Sequence, residues 1–218
     1  MRLRNTIVAT VLASSAIACG PLHAFPHTLR VDSRFSGEEQ AQIVAAIDEW
    51  STATGGIVQI NPVVTDGLST PTHIGTYNSE GLHTIYSANG NNPVFDRSTL
   101  VGFTDIPGHG PGEGSSGNNI WIIPARIKHN AHKEGLVYKT FFRQIVLHEL
   151  GHHFGLRHPP LSEHNRSLMQ RLAEHATPCI APADLERFCR LYDCSGHSVK
   201  TTCTPIQLFK SQHIARYE

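Results

Sequence analysis

Between His148 and His158 the chain reads His-Glu-Leu-Gly-His-His-Phe-Gly-Leu-Arg-His, and no other stretch constrains its folding so tightly. The residues leading into it are periodic. Phe141, Phe142, Ile145, Val146 and Leu150 recur on one helical face, which predicts a long helix from about Leu136 to Phe154. On that helix His148 and His152 are four residues apart, so their imidazoles stack one turn apart and converge on one point. Glu149 stands about 100° round the helix from His148, close enough to reach a water held at that point and poorly placed to be a ligand itself. His158 lies six residues beyond His152. In a continued helix it would point about 240° away. It reaches the other two only if the helix ends and the chain turns back. Gly155 stands where that turn is needed, and glycine tolerates the left-handed conformation of a helix C-terminal cap.

Three neutral imidazoles around one ion leave the fourth tetrahedral position open, the mark of a catalytic zinc site rather than a structural one. The expectation is therefore one catalytic Zn2+ held by His148, His152 and His158, with Glu149 as general base toward a zinc-held water whose pKa falls to about 7. The short form of the motif arises by accident in long helices. The extended form fixes five positions, and solvated surface histidines on a helix account for it poorly even in a chain with 15 histidines.

The N-terminus reads as an export signal, assigned to residues 1–24. Arg2 and Arg4 precede an apolar run from Thr6 to Ala18, too short to span a bilayer comfortably. Cleavage after Ala24 is favoured. Ala16-Ile17-Ala18-Cys19 resembles a lipobox, so an outer-surface lipoprotein acylated on Cys19 is the alternative, and that lipid is the membrane contact foreseen. The localisation expected is secreted, extracellular or periplasmic. The remaining cysteines, Cys179, Cys189, Cys194 and Cys203, cluster near the C-terminus and read as two disulfides with three possible connectivities. A Cys-rich zinc site is the weaker reading, since no C-x-x-C pair is present. Formal net charge is zero, so the chain lacks the basic footprint of a nucleic-acid binder.

Residues 25–218 are expected to form one catalytic domain. Strands are predicted at Thr28–Asp32, Ile57–Val64, His73–Tyr77, Leu100–Ile106 and Ile120–Ile123, the last stopped by Pro124. Ser36 and Glu39 form a capping box opening a helix whose stripe is Ile43, Ala46, Ile47 and Trp50, and Gly55-Gly56 ends it. Gly81 to Ser98 reads as polar and turn-rich, and Pro107 to Asn119 as a Gly-rich loop. A final helix is expected over about Ala183 to Tyr192. The fold class is α+β, with the sheet mostly in the first half.

The extended histidine motif, together with Ser167-Leu168-Met169 eleven residues past His158, resembles the metzincin clan of zinc endopeptidases. Within the clan the motifs are similar to those of matrixins and their bacterial relatives. These carry a Leu-Met step after the third histidine and an acidic-capped helix ending in Leu-Tyr, here Pro182-Ala183-Asp184-Leu185 through Leu191-Tyr192. The resemblance spans roughly Arg30 to Tyr192 and implies a twisted mixed sheet, mostly antiparallel-edged, over the zinc-binding helix in an upper subdomain of about 25–155. The same likeness implies a small C-terminal lower subdomain of about 156–218, holding a helix and the disulfides, and a methionine turn at Met169 beneath the zinc. It implies an edge strand that pairs with extended polypeptide substrate, for which Leu100, Val101, Gly102 and Phe103 are the candidates. It implies a pocket wall after Met169, including Gln170 and His175. The chain departs from the pattern in three ways. Leu172 stands where some metzincins place a tyrosine. The His-x-Asp of a structural zinc is missing. A chain cut after Ala24 would leave no room for a cysteine-bearing propeptide.

Other residues carry less. His109 reads as surface, and Asp105 and Glu113 could join a calcium site, although a solvated loop is the simpler reading. His153 reads as a support to the ligands or as surface, Arg157 as surface or carboxylate-paired, and His164 as a cleft candidate. Trp121, Phe141 and Phe142 read as core. The chain is expected to be a monomer. Two further classes compete with an endopeptidase: a zinc-bearing binding or adhesion protein with little or no turnover, and a hydrolase of non-protein amides. Glu149 favours an enzyme, because a pure binder needs no base.

Overall fold

A computed structural model describes residues 24–69, 83–89, 100–104, 119–159, 167–170 and 177–204. The chain enters through β1 (His27–Asp32) and turns into α1 (Gly37–Ala53) at Ser36. The Ser36 hydroxyl accepts from the Glu39 N–H at 3.3 Å and the Glu39 carboxylate accepts from the Ser36 N–H at 2.8 Å, so the foreseen capping box is formed. The stripe of α1 is buried, and the Trp50 indole N–H donates to the Leu147 carbonyl of α3 (Tyr138–His153) at 3.0 Å. A fully buried tryptophan with its one donor satisfied is a strong clamp between the two helices.

Five strands lie side by side in the order β2 (Ile60–Thr65), β1, β3 (His83–Ser87), β5 (Asn119–Ile122), β4 (Gly102–Thr104). The first four run parallel and only β4 is antiparallel, against β5. This corrects the sequence expectation of a mostly antiparallel-edged sheet: one edge, β4, is antiparallel and the other, β2, is parallel. The cause is topological. Helix α1 carries the chain from the end of β1 back to its start, and a helical return makes neighbouring strands parallel. Hydrophobic patterning along a strand carries no information on direction.

Two elements escape the sequence reading. β3 lies within the stretch read as turn-rich, yet Thr84, Ile85 and Tyr86 are all buried at the sheet centre. A central strand covered on both faces needs only a few apolar residues and shows no alternation. The second is α2 (Pro124–Lys133), which begins at the proline taken as a strand stop. Proline lacks the N–H that a first helical turn would leave unpaired, so it starts helices as readily as it ends strands.

The sheet packs α1 and α3 on one face, where Leu29, Val31, Ile85, Ile120 and Ile122 meet Ile43, Trp50, Phe142 and Val146. Its other face carries Tyr86, Trp121 and Ile123, with Leu100 and Phe103 against them. Ile120 and Ile122 thus face one way and Trp121 and Ile123 the other, the two-residue period of a strand buried on both sides. Beyond α3, helix α4 (Pro182–Leu191) joins the core through Leu185 and Phe188. Two disulfides, Cys179–Cys203 and Cys189–Cys194, select one of the three connectivities. No helix among the described residues is long and apolar enough to cross a membrane. The predicted export signal and the strand candidate His73–Tyr77 lie outside the described residues.

Candidate metal centre

Helix α3 ends as the sequence reading requires. Gly155 has φ +93°, its N–H donates to the His152 carbonyl at 2.9 Å, and the Leu156 N–H donates to the Gly151 carbonyl at 2.9 Å. That pair of bonds is the Schellman turn. The turn also builds the site. It presents the Leu156 carbonyl to His152 Nδ1 at 2.7 Å and sends the chain back so that His158 returns to the helix. His158 Nε2 lies 3.2 Å from His148 Nε2 and 3.1 Å from His152 Nε2.

The tautomers follow from the partners. A carbonyl oxygen only accepts, so His152 Nδ1 carries a proton for Leu156, and His148 Nδ1 carries one for the Leu168 carbonyl at 2.9 Å. Both rings therefore turn lone pairs at Nε2 toward His158. A cation placed among the three Nε2 atoms would accept all three lone pairs. The donor set fits zinc: nitrogens at about 2.0–2.1 Å from a tetrahedral ion stand about 3.3 Å apart, close to the observed separations. Among the described residues, His148, His152 and His158 are the group of His, Cys, Asp or Glu able to share one metal ion. Burial pushes the His148 imidazole down to about 4, against the Leu168 hydrogen bond, and burial lowers His152 as well, helped by the neighbouring His148 and His158. Both are neutral, ligand-ready rings at neutral pH. His158 is exposed, so the convergence point is open on that side.

Glu149 is buried, and burial pushes its carboxyl up to about 7 although the Thr104 hydroxyl pulls it down. Thr104 lies 2.6 Å from Glu149 Oε2 and 3.0 Å from the Glu149 carbonyl. Gly102, two residues earlier on the same face of β4, leaves the space that Glu149 fills: a Cβ there would stand 2.8 Å from Glu149 Oε1 and 3.1 Å from its Cγ. A strand edge thus clamps the carboxylate. Sequence reading found β4 but missed Thr104, because its partner is 45 residues away.

Met169 is fully buried with its sulfur against α3, where a Cβ on Gly151 would meet Sδ at 2.3 Å. The preceding residues are tied down by Asp184 of α4, whose carboxylate accepts from the Ser167 hydroxyl, the Leu168 N–H at 2.8 Å and the Ala181 N–H at 3.0 Å. Burial raises the Asp184 carboxyl above its ordinary value, and these hydrogen bonds oppose the rise. A path thus runs from α4 through Leu168 to the ring orientation of His148. Orientation of a ligating histidine by such outer hydrogen bonds is general.

The remaining candidates sort as follows. Gly102 sits on Glu149, whereas Phe103 turns to the other sheet face, its ring 5.9 Å from Trp121, and Leu100 packs on that same face. The Val101 carbonyl accepts from the Ile123 N–H at 2.9 Å. In an antiparallel ladder the main-chain groups alternate sides, so those of Gly102 and Thr104 point away from β5. Gln170 is buried beside Met169. Trp121, Phe141 and Phe142 are core. His153 is fully buried against β1 and β3, which corrects the surface reading. The main-chain carbonyl of Arg157 takes the Arg187 guanidinium. Asp105, His109, Glu113, His164, Leu172 and His175 lie outside the described residues.

No family model and no curated protein matches the chain. Among solved structures, archaemetzincin from Methanopyrus kandleri is similar, with a TM-score of 0.47 and 17% identity over 76% of this chain and 95% of that one. High choriolytic enzyme 1, a hatching-enzyme zinc protease of the medaka fish Oryzias latipes, is similar with a TM-score of 0.29 and 19% identity over 74% of this chain and 56% of its own.

Proposed function

We propose that this chain is a zinc-dependent endopeptidase of the metzincin type, matrixin-like in its motifs, exported from the cell and acting on extended polypeptide. One observation carries the reading: three histidine Nε2 atoms, two with their tautomers set by main-chain carbonyls, meet at metal-ligand separation on a helix whose Glu149 is buried and clamped by Thr104. His148, His152 and His158 are the ligands in this reading. Bound there, one zinc ion supplies Lewis acidity toward the scissile carbonyl and makes a water acidic enough to be a nucleophile near neutral pH.

Glu149 takes the proton from the attacking water and passes it to the leaving nitrogen. Burial raises the Glu149 carboxyl and so helps it keep the proton it has taken, while beside a bound dication it falls back toward the ionised form that acts as base. Thr104 fixes one carboxyl oxygen and so limits the rotation of the base. The main-chain groups of Gly102 and Thr104 pair with an extended peptide laid along β4, while Gln170 and His175 line the pocket beyond the scissile bond. The division of residues 25–218 falls at the Gly155 turn, with the sheet and α3 above and the Met169 segment and α4 below. Two disulfides suit an oxidising compartment, which supports export behind a signal in residues 1–24, with or without a lipid on Cys19. The protein acts as a monomer.

The test is clearing of casein or gelatin by purified protein, repeated with a chelator and with Glu149→Gln. Clearing by the wild type that both treatments abolish is expected. An intact, zinc-loaded protein that clears neither substrate nor a peptide library would instead be a zinc-bearing binder, and cleavage of cell-wall amides alone would move the activity off proteins.

A further inference from the structure

A second histidine trio lies against the last turn of α3. His27 opens β1, His83 opens β3 and His153 closes α3. Strands β1 and β3 are parallel neighbours with Leu29 beside His83, so His27 and His83 share the sheet face turned toward α3. His153 follows the ligand His152 but points the other way round the helix, into this corner. Ring centroids are 5.2 Å apart for His27–His83, 5.4 Å for His27–His153 and 5.1 Å for His83–His153. In the first trio the values are 4.7, 5.2 and 4.6 Å.

We propose that His27, His83 and His153 form a second site for a zinc-like divalent transition-metal ion, anchored by the Nε2 atoms of His27 and His153. Those two atoms are 3.2 Å apart, the same separation that the first trio shows. At bonds of about 2.0–2.1 Å that spacing corresponds to a near-tetrahedral angle at the ion. Three imidazoles suit zinc, copper or nickel rather than calcium or magnesium, which take oxygen ligands. The His83 nitrogens do not come within 4.8 Å of both others. His83 therefore completes the set by turning its ring, from a half-buried position at the start of a strand. Phe25 stacks on His27 at 5.2 Å and meets Phe154 edge-on at 5.8 Å, which walls the corner with apolar rings. Such a site would pin two strands and the zinc helix together, a structural role rather than a catalytic one. The rival account of the 3.2 Å contact is a plain N–H···N hydrogen bond between neutral rings, which predicts no second ion.

The test counts metal in the full chain. Protein is saturated with zinc, desalted over chelating resin and analysed by plasma mass spectrometry. Two equivalents are expected for wild type, one for His27→Gln/His83→Gln and one for His148→Ala/His158→Ala. A His27→Gln/His83→Gln variant that still holds as many equivalents as wild type overturns the proposal, as does a His148→Ala/His158→Ala protein that holds none. If that variant does not fold, the His148→Ala/His158→Ala protein decides alone: one retained equivalent supports the site and none overturns it. The count does not depend on peptidase activity, so a failure to clear casein leaves this result standing.

Discussion

Replacing Gly155 tests the turn on which the first histidine trio depends. At φ +93° an L-residue is held in the left-handed region, at a cost of about 1–2 kcal/mol. For a chain of this size about 1 kcal/mol lowers Tm by roughly 2–4 °C, so Gly155→Ala should lose roughly 2–8 °C. The larger effect is on the metal. If the strained turn relaxes, the bonds from Gly155 and Leu156 to the His152 and Gly151 carbonyls open, the Leu156 carbonyl leaves His152 Nδ1, and His158 no longer returns. Loss of outer-sphere orientation alone typically weakens metal binding about 10–100-fold. The order of severity should be Asn, then Ala, then Val, since asparagine tolerates positive φ and a β-branched residue does not. The assays are calorimetric melting of the metal-free protein and zinc competition against a chromophoric chelator. Wild-type melting and zinc affinity in Gly155→Val would refute the argument that this turn assembles the site.

Three further outcomes are expected. Thr104→Val removes a hydrogen bond that lowers the Glu149 carboxyl, so that carboxyl should rise and the acid limb of kcat/KM should move to higher pH at unchanged zinc content; an unmoved limb would remove Thr104 from the clamp. Asp184→Ala leaves three buried donors without an acceptor, which should cost about 3 kcal/mol or more in urea unfolding and weaken zinc binding through Leu168 and His148; wild-type stability would show that Ser167 and Leu168 find other partners. In metal-free protein His148 should contribute a loss of stability as pH falls. His148 is held at about 4 when folded and returns to about 6.5 when unfolded, so the unfolded chain binds the extra proton between those values. That contribution is complete above about pH 6.5 and fades toward pH 4. It amounts to about 3.5 kcal/mol at about 1.4 kcal/mol per pH unit. The Glu149 carboxyl, pushed up to about 7, acts in the opposite sense between about 4.5 and 7, so the check is the comparison with His148→Gln. A variant whose metal-free unfolding free energy varies with pH as wild type's does would contradict it.

What the sequence alone determined is local. The four-residue spacing of His148 and His152, the place of Glu149 between them, the glycine that stops the helix and the Ser36–Glu39 cap are all set within one or two turns of chain. There the geometry of the α-helix and the conformational range of glycine leave few alternatives. The buried stripe through Trp50 was legible for the same reason. Only the tertiary structure decided the parallel direction of the strands, the central place of β3, the start of α2 at Pro124 and the disulfide pairing. It also decided that Thr104 clamps Glu149, that the Leu168 carbonyl orients His148, and that His27, His83 and His153 meet. Each of these joins residues distant in sequence, and their meeting depends on how helices and strands pack rather than on any spacing along the chain.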